Sequence, residues 1–408
     1  MITMARSRIS RPTRHNRDAE RLIALATALS ASGSRVEDRY WEQQIEAVLT
    51  KLLRTGQDGA LEIALDHLLV ADPNAYEVLI ELCETESEST ILEVDGQRYD
   101  VLLVVAPLAV WTRYQIPSGS IRPDALDALQ AQLHGHVLAA DVRLALAPAL
   151  LSIDQMPRTF SATQQWLTRL GAKALNKTTT QKLELPLAEE PAGMLADTRY
   201  LVGAVAVPQG QPIFRWQESL EADHSRAHCL EQWASQSEPT FASLLPGCGL
   251  EILLPDAWYV GNRDADRRVR PLAIKAAVTW LEGALGTTPD QLRAVVAGCG
   301  EQQIDEYRIG FTQRNSNDVI YGCIWPLFGR EGADDAVAET EHGVPLDTVD
   351  RIVDLLRQNG ITEVRRLPGL LPPDFCEDCG APHFPNPLGE MMHAEMPEDA
   401  EFSPPQFH

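Results

Sequence analysis

Eleven consecutive residues, Val101–Trp111, carry no charged side chain and no polar one before the terminal indole. A membrane-spanning helix needs about 20 such residues, so this run is too short to cross a bilayer. A strand that is apolar on both faces has to be buried on both faces, which places it mid-sheet beneath helices. The stretch Gln97–Val105 is therefore expected to be a central strand. Ile91–Val94 pairs with it across Asp95-Gly96, a dipeptide that adopts positive φ in a two-residue hairpin turn.

Upstream, the pattern changes from that of strands to that of helices. Residues 17–89 are expected to form a helical module of four helices. Ser34-Arg-Val-Glu37 matches a capping box. Trp41, Ile45, Val48, Leu49 and Leu52 then share one helix face up to Gly56, and Asp72-Pro73 separates two further apolar repeats. The acidic stretch Glu84–Ser89 is expected to mark the boundary after this module. Residues 1–16 are rich in arginine and form a basic arm. Asp18 and Glu20 interrupt its charge, and Leu22, Leu25, Ala26 and Leu29 lie on one helical face, so a secretory signal is not expected.

Downstream, Arg122-Pro123 starts a helix whose first residue has no amide bond to lose. Val142–Ile153 is a further apolar strand, completing β-α-β. Asn176–Ala196 is expected to be a loop, and Arg199–Val207 with Ile213–Trp216 a hairpin. Sliding Pro107–Leu138 onto Pro255–Gly286 without gaps aligns Arg122-Pro123 with Arg270-Pro271, together with Ala125/Ala273, Leu133/Leu281 and Gly135/Gly283. The spacing from Pro107 to Pro123 recurs from Pro255 to Pro271, which implies an internal duplication. Tyr307–Gln313 and Val319–Trp325 form a hairpin, Leu346–Gln358 a helix, and Thr362–Leu367 a strand. The expected fold class is α/β (α+β): a helical module, α/β units at 90–217 and 218–366 that are tandem duplicates, and an irregular acidic tail at 367–408 rich in proline.

Lys plus Arg number 35 against 58 Asp plus Glu, a net charge of −23. Such a surface repels nucleic acid and anionic membranes, leaving the basic arm as the one segment suited to nucleic acid. Seven cysteines, five of them scattered, do not form a disulfide framework, and a reducing cytoplasm is expected. The sequence contains no phosphate-binding Gly-rich loop and no strained nucleophile elbow. Cys248 and Cys299 sit between glycines at turns without an assignable histidine, and no catalytic residue is assigned. His224 and His228 are four apart on an expected helix, but Ser225 stands where a zinc protease carries glutamate. His134 and His136 cannot share a helix face. Arg267, Arg268 and Arg270 precede Pro271 at an expected helix start, where free amides favour an anion. With the aligned Arg122 they form a candidate anion site.

The most specific pattern is Cys376-Glu-Asp-Cys379-Gly380, followed by His383 and His393. Two thiolates two residues apart with a glycine after them can converge on one ion, and two imidazoles would complete a tetrahedral set for structural Zn2+; a reduced or redox-active thiol pair is the alternative. Glu390 or Glu395 can replace His383. The run Phe375–Pro382, His393-Ala-Glu-Met-Pro397, Trp111–Gly119 and Ser152-Ile-Asp-Gln155 resembles an uncharacterised family of betaproteobacterial proteins. The resemblance extends from about Arg17 onward. It implies a bacterial cytoplasmic protein and brings no activity, cofactor or catalytic residue.

Two functions follow as expectations. The first is a non-catalytic binding or regulatory protein, with a protein or small anionic ligand as partner. The second is an enzyme with Arg122 and Arg270 lining a cleft between the repeats.

Overall fold

The computed structural model describes residues 14–112, 116–177, 195–301, 303–327 and 347–397. Most of the basic arm and most of the loop expected at 176–196 lie outside these residues.

The helical module forms as its periodicity requires: α1 (Arg14–Ser30), α2 (Arg35–Thr55), α3 (Asp58–Ala71) and α4 (Pro73–Glu88). Leu22, Ile45, Leu49, Leu52, Leu61, Leu68 and Leu79 meet in one core. Half of the capping box is made, because Ser34 Oγ accepts from the Glu37 amide at 3.2 Å while the Glu37 carboxylate accepts from Trp41 Nε1 at 3.4 Å. The acidic stretch expected to mark the boundary, ahead of the first strand at Ser89, is the last turn of α4. It is a joint: Glu84 Oε1 accepts from Arg263 at 2.8 Å, Glu88 Oε2 accepts from the Tyr259 amide at 2.9 Å, and the Ser87 and Tyr259 hydroxyls lie 2.9 Å apart.

The apolar run becomes β2 (Gln97–Trp111), the spine of a seven-stranded sheet. One edge of β2 pairs along its length with β5 (Ala196–Pro208). The other edge is shared in succession by β1 (Ser89–Val94), β7 (Asp256–Ala257) and β6 (Gly249–Ile252). Beyond β5 lie β4 (Arg143–Leu151) and β3 (Gly119–Ser120), and every pairing in this sheet is antiparallel. The β-α-β unit is thus split, with β5 inserted between β2 and β4. One face is covered by α5 (Pro123–His136) and α8 (Arg226–Leu244) through Leu129, Leu133, Trp233 and Phe241. The opposite face is covered by α6 (Phe160–Ala174) and the start of α9 (Trp258–Leu285) through Trp166, Leu170, Trp258 and Ala265.

Two expectations change here. Ile213–Trp216 is not a strand, since Arg215–Glu218 forms the short helix α7. The boundary expected at 217/218 also moves, because α8, β6 and β7 belong to the first sheet and its cores.

The second sheet has four strands in the order β10 (Tyr321–Pro326), β9 (Glu306–Gln313), β8 (Leu292–Cys299) and β11 (Glu363–Leu371). Its β9–β10 hairpin forms as expected, and β11 runs parallel to β8. α9 and α10 (Thr348–Gln358) cover one face through Ile274, Leu281, Ile352 and Leu356. Pro271 lies inside the 28-residue α9, whereas Pro123 is the first residue of α5. The prolines aligned by the duplication therefore do not occupy equivalent helix starts. Proline offers no amide to the preceding turn, and that gap falls where α9 leaves the first sheet for the second. Among the described residues no helix is long and apolar enough to cross a membrane.

Candidate functional site

In β9 the side chains alternate: Tyr307, Ile309 and Phe311 enter the helix-covered core, which places Arg308, Gly310 and Thr312 on the opposite face. That face is covered by residues 372–397, expected to be an irregular tail. The small hairpin of β12 (Phe384–Pro385) and β13 (Met391–Met392) lies directly on it. A Cβ on Gly310 would overlap the Pro385 carbonyl oxygen, and one on Gly322 would overlap the Phe384 ring. These two glycines give backbone and ring their seat.

Arg308 latches the segment down. Its side chain is fully buried, donating from Nε to Glu306 Oε1 at 2.6 Å and from Nη1 to the carbonyls of Asp374 at 2.6 Å and His383 at 2.8 Å. The guanidinium carbon also stands 4.9 Å from the centre of the Phe375 ring. Charge-assisted bonds to carbonyls at both ends of one loop fix the loop between them.

Within that loop the Cys376 amide donates to the Ala381 carbonyl at 2.8 Å and the Gly380 amide to the Cys376 carbonyl at 2.9 Å. Gly380 has φ +72°, the left-handed conformation that favours glycine. The amides of Cys379 and Asp378 bond the Cys376 sulfur and hold its thiol below the ordinary cysteine range. A turn closed by Asn386, 1% exposed, returns the chain: its Oδ1 accepts from the Leu388 and Glu390 amides at 2.9 Å. That return places His393 beside the cysteines.

The donor atoms of Cys376, Cys379 and His393 lie within 4.8 Å of one another, and Cys379 Sγ is 3.3 Å from His393 Nε2. Two such ligands on a tetrahedral zinc stand about 3.5 Å apart, so the spacing fits. Glu395 Oε1 is 3.6 Å from His393 Nδ1, the ring nitrogen turned away from the cysteine. At that separation the carboxylate is a neighbouring charge and not a hydrogen-bond partner of the ring. His383, expected as the fourth ligand, falls outside this donor group, its ring centre 6.4 Å from that of His393. Glu390 is engaged with Asn386 Nδ2 at 2.9 Å.

The arginines of the expected anion site are dispersed. Arg122 precedes α5, 64% exposed at its side chain and 3.5 Å from Asp124. Arg267 pairs with Asp264 at 3.2 Å and Arg268 with Glu251 at 2.7 Å, while Arg270 is 3% exposed with its guanidinium 5.8 Å from the Trp325 ring centre. α9 starts at Trp258, so these residues sit in the helix body, where amides are already bonded and do not favour an anion.

The remaining candidates lie elsewhere in the fold. His224 belongs to a short turn and bonds Asp223, and His228 is in the first turn of α8. Burial lowers the pKa of His134 and His136. It raises the Cys248 thiol and pushes that of Cys299 up to about 11, which disfavours the nucleophilic thiolate.

The sequence reading missed Arg308, Gly310 and Gly322. Their alternation with apolar neighbours reads as a solvent-facing side, and only the docked segment makes it an interior. No curated protein and no solved structure matches the chain. Residues 7–407 match the family described as a protein of unknown function (DUF2863), and the chain belongs to that family.

Proposed function

We propose that this chain is a non-catalytic binding protein whose C-terminal segment is fastened across the second sheet by one structural zinc ion. The observation that carries the reading is the convergence of Cys376, Cys379 and His393, with 3.3 Å between the Cys379 sulfur and the His393 nitrogen. Thiolates and a neutral imidazole suit a borderline-soft divalent ion. His383 supplies the fourth ligand by side-chain rotation, its backbone already held by Arg308 and by a 3.0 Å bond from its amide to the Asp374 carbonyl. A closed set of four leaves no position for a reacting water, so the ion orders the segment and does no chemistry. Free thiols at all seven cysteines suit a reducing cytoplasm, where we place the protein.

The test is metal analysis of full-length protein purified under reducing conditions without chelator. The expected content is one zinc per chain, lost in Cys376→Ser/Cys379→Ser protein together with protease resistance after Pro372. In cobalt-loaded protein, His383→Ala is expected to change the visible absorption and weaken metal binding at least tenfold. Metal-free protein with an equally resistant segment overturns the site. An unchanged cobalt spectrum in His383→Ala overturns the closed ligand set.

A further inference from the structure

At Pro271 α9 passes from one sheet to the other, and its second half runs past the end of β2. A cavity of 380 Å³ opens there, bounded by Trp111 and Gly249 on the first sheet and by Leu272, Lys275, Thr279 and Trp280 on α9. Small-ligand pockets span roughly 300–1,000 Å³ and favour seams between packed units. This one lies on the seam between the two sheets.

The lining has a definite chemistry. Trp111 pairs with Gly249 across the sheet, and a Cβ on Gly249 would overlap the indole, so the ring lies against bare backbone. Trp280 is the second aromatic side chain of the lining, its own ring centre 5.2 Å from that of Tyr321. Among the described lining residues Lys275 carries the only ionisable group, and none is acidic. In a chain of net charge −23, a recess whose described lining is largely apolar, with Lys275 its one ionisable side chain, selects against cations and for an anion that brings a flat apolar body with it.

We infer that this cavity binds a small aromatic carboxylate, its ring between Trp111 and Trp280 and its carboxylate at the Lys275 ammonium. The inference gives the binding-protein reading a ligand class, and it is independent of the metal. Lys275 and the two tryptophans are far apart in sequence from Cys376 and His393 and belong to other elements.

The probe is 1-naphthoate, compared with neutral 1-naphthamide and with decanoate by titration calorimetry on the full chain. Saturable 1:1 binding of naphthoate, at least tenfold tighter than naphthamide and than decanoate, is expected. Lys275→Met should bring naphthoate down to the level of naphthamide. Ala276→Trp, whose side chain fills the cavity, should abolish binding, and Thr279→Trp serves the same purpose where Ala276→Trp does not fold. Binding that persists in the folded filled-cavity variant, absence of saturable binding, or a preference for decanoate overturns the inference. Naphthoate affinity should be unchanged in Cys376→Ser/Cys379→Ser protein, so a failure of the metal site and a failure of the cavity are told apart.

Discussion

Replacing Arg308 with methionine should release residues 372–397 from the second sheet while leaving the first sheet folded. Methionine approximates the volume of the arginine stem but donates nothing. The substitution removes the bonds to Glu306, Asp374 and His383, all between 2.6 and 2.8 Å, at a side chain that is fully buried. If the segment stayed docked, the His383 carbonyl would be left without a partner at about 1–3 kcal/mol, while the Asp374 carbonyl would keep only the His383 amide. Undocking lets water satisfy both. What opposes undocking is chiefly the burial of Phe384, worth about 1.5–3 kcal/mol, with the bonds of the Asn386 turn remaining intact inside the released hairpin. The two magnitudes are comparable, so the penalty appears as local opening and not as global unfolding. Hydrogen exchange read by mass spectrometry measures it: faster exchange confined to 372–397, with β2, β4 and β5 protected as in the wild type. Arg308→Lys keeps the charge with a single donor head and should fall between the two. Wild-type exchange across 372–397 in Arg308→Met would refute the latch, and so would loss of protection in both sheets together.

Glu88 offers a pH-dependent test. Burial against α9, only partly offset by the Tyr259 amide, raises its carboxyl from 4.5 to about 7. The folded chain holds this proton between those values while the unfolded chain has lost it, so the contribution is present below pH 4.5 and falls away as pH rises through 7. The size is at most about 3 kcal/mol. Glu88→Gln should flatten the fall in urea midpoint between pH 5 and pH 8, and an undiminished fall would sink the assignment. Gly322→Ala should destabilise the docked segment by about 1.5–3 kcal/mol through displacement of Phe384. The same change in a Phe384→Ala background should be nearly neutral, and additive costs in that double-mutant cycle would show that ring and glycine do not meet.

Local chemistry was enough to define much of this protein. The Ser34 and Asp72 caps, the left-handed Gly56, the Asp95-Gly96 turn and the proline opening α5 all act within one or two turns of chain. The CxxC knuckle is equally local: two thiols and the backbone bend that aims them fit within five residues. The length of the apolar run also dictated a buried central strand, since no other arrangement removes both of its faces from water. Partner choice lies outside the reach of such signals. Which strand sits beside β2 was decided by β5 returning nearly ninety residues later, between two strands that a β-α-β pattern would have made neighbours. Pro271 marks a helix start by composition, yet α9 runs through it because each half has a sheet to cover. The Arg308 face of β9 carries a charge and two small residues, which by pattern is a face for water. It is buried because the acidic, proline-rich segment, unable to bury enough apolar surface alone, finds there a flat seat for its backbone and two carbonyls for one guanidinium.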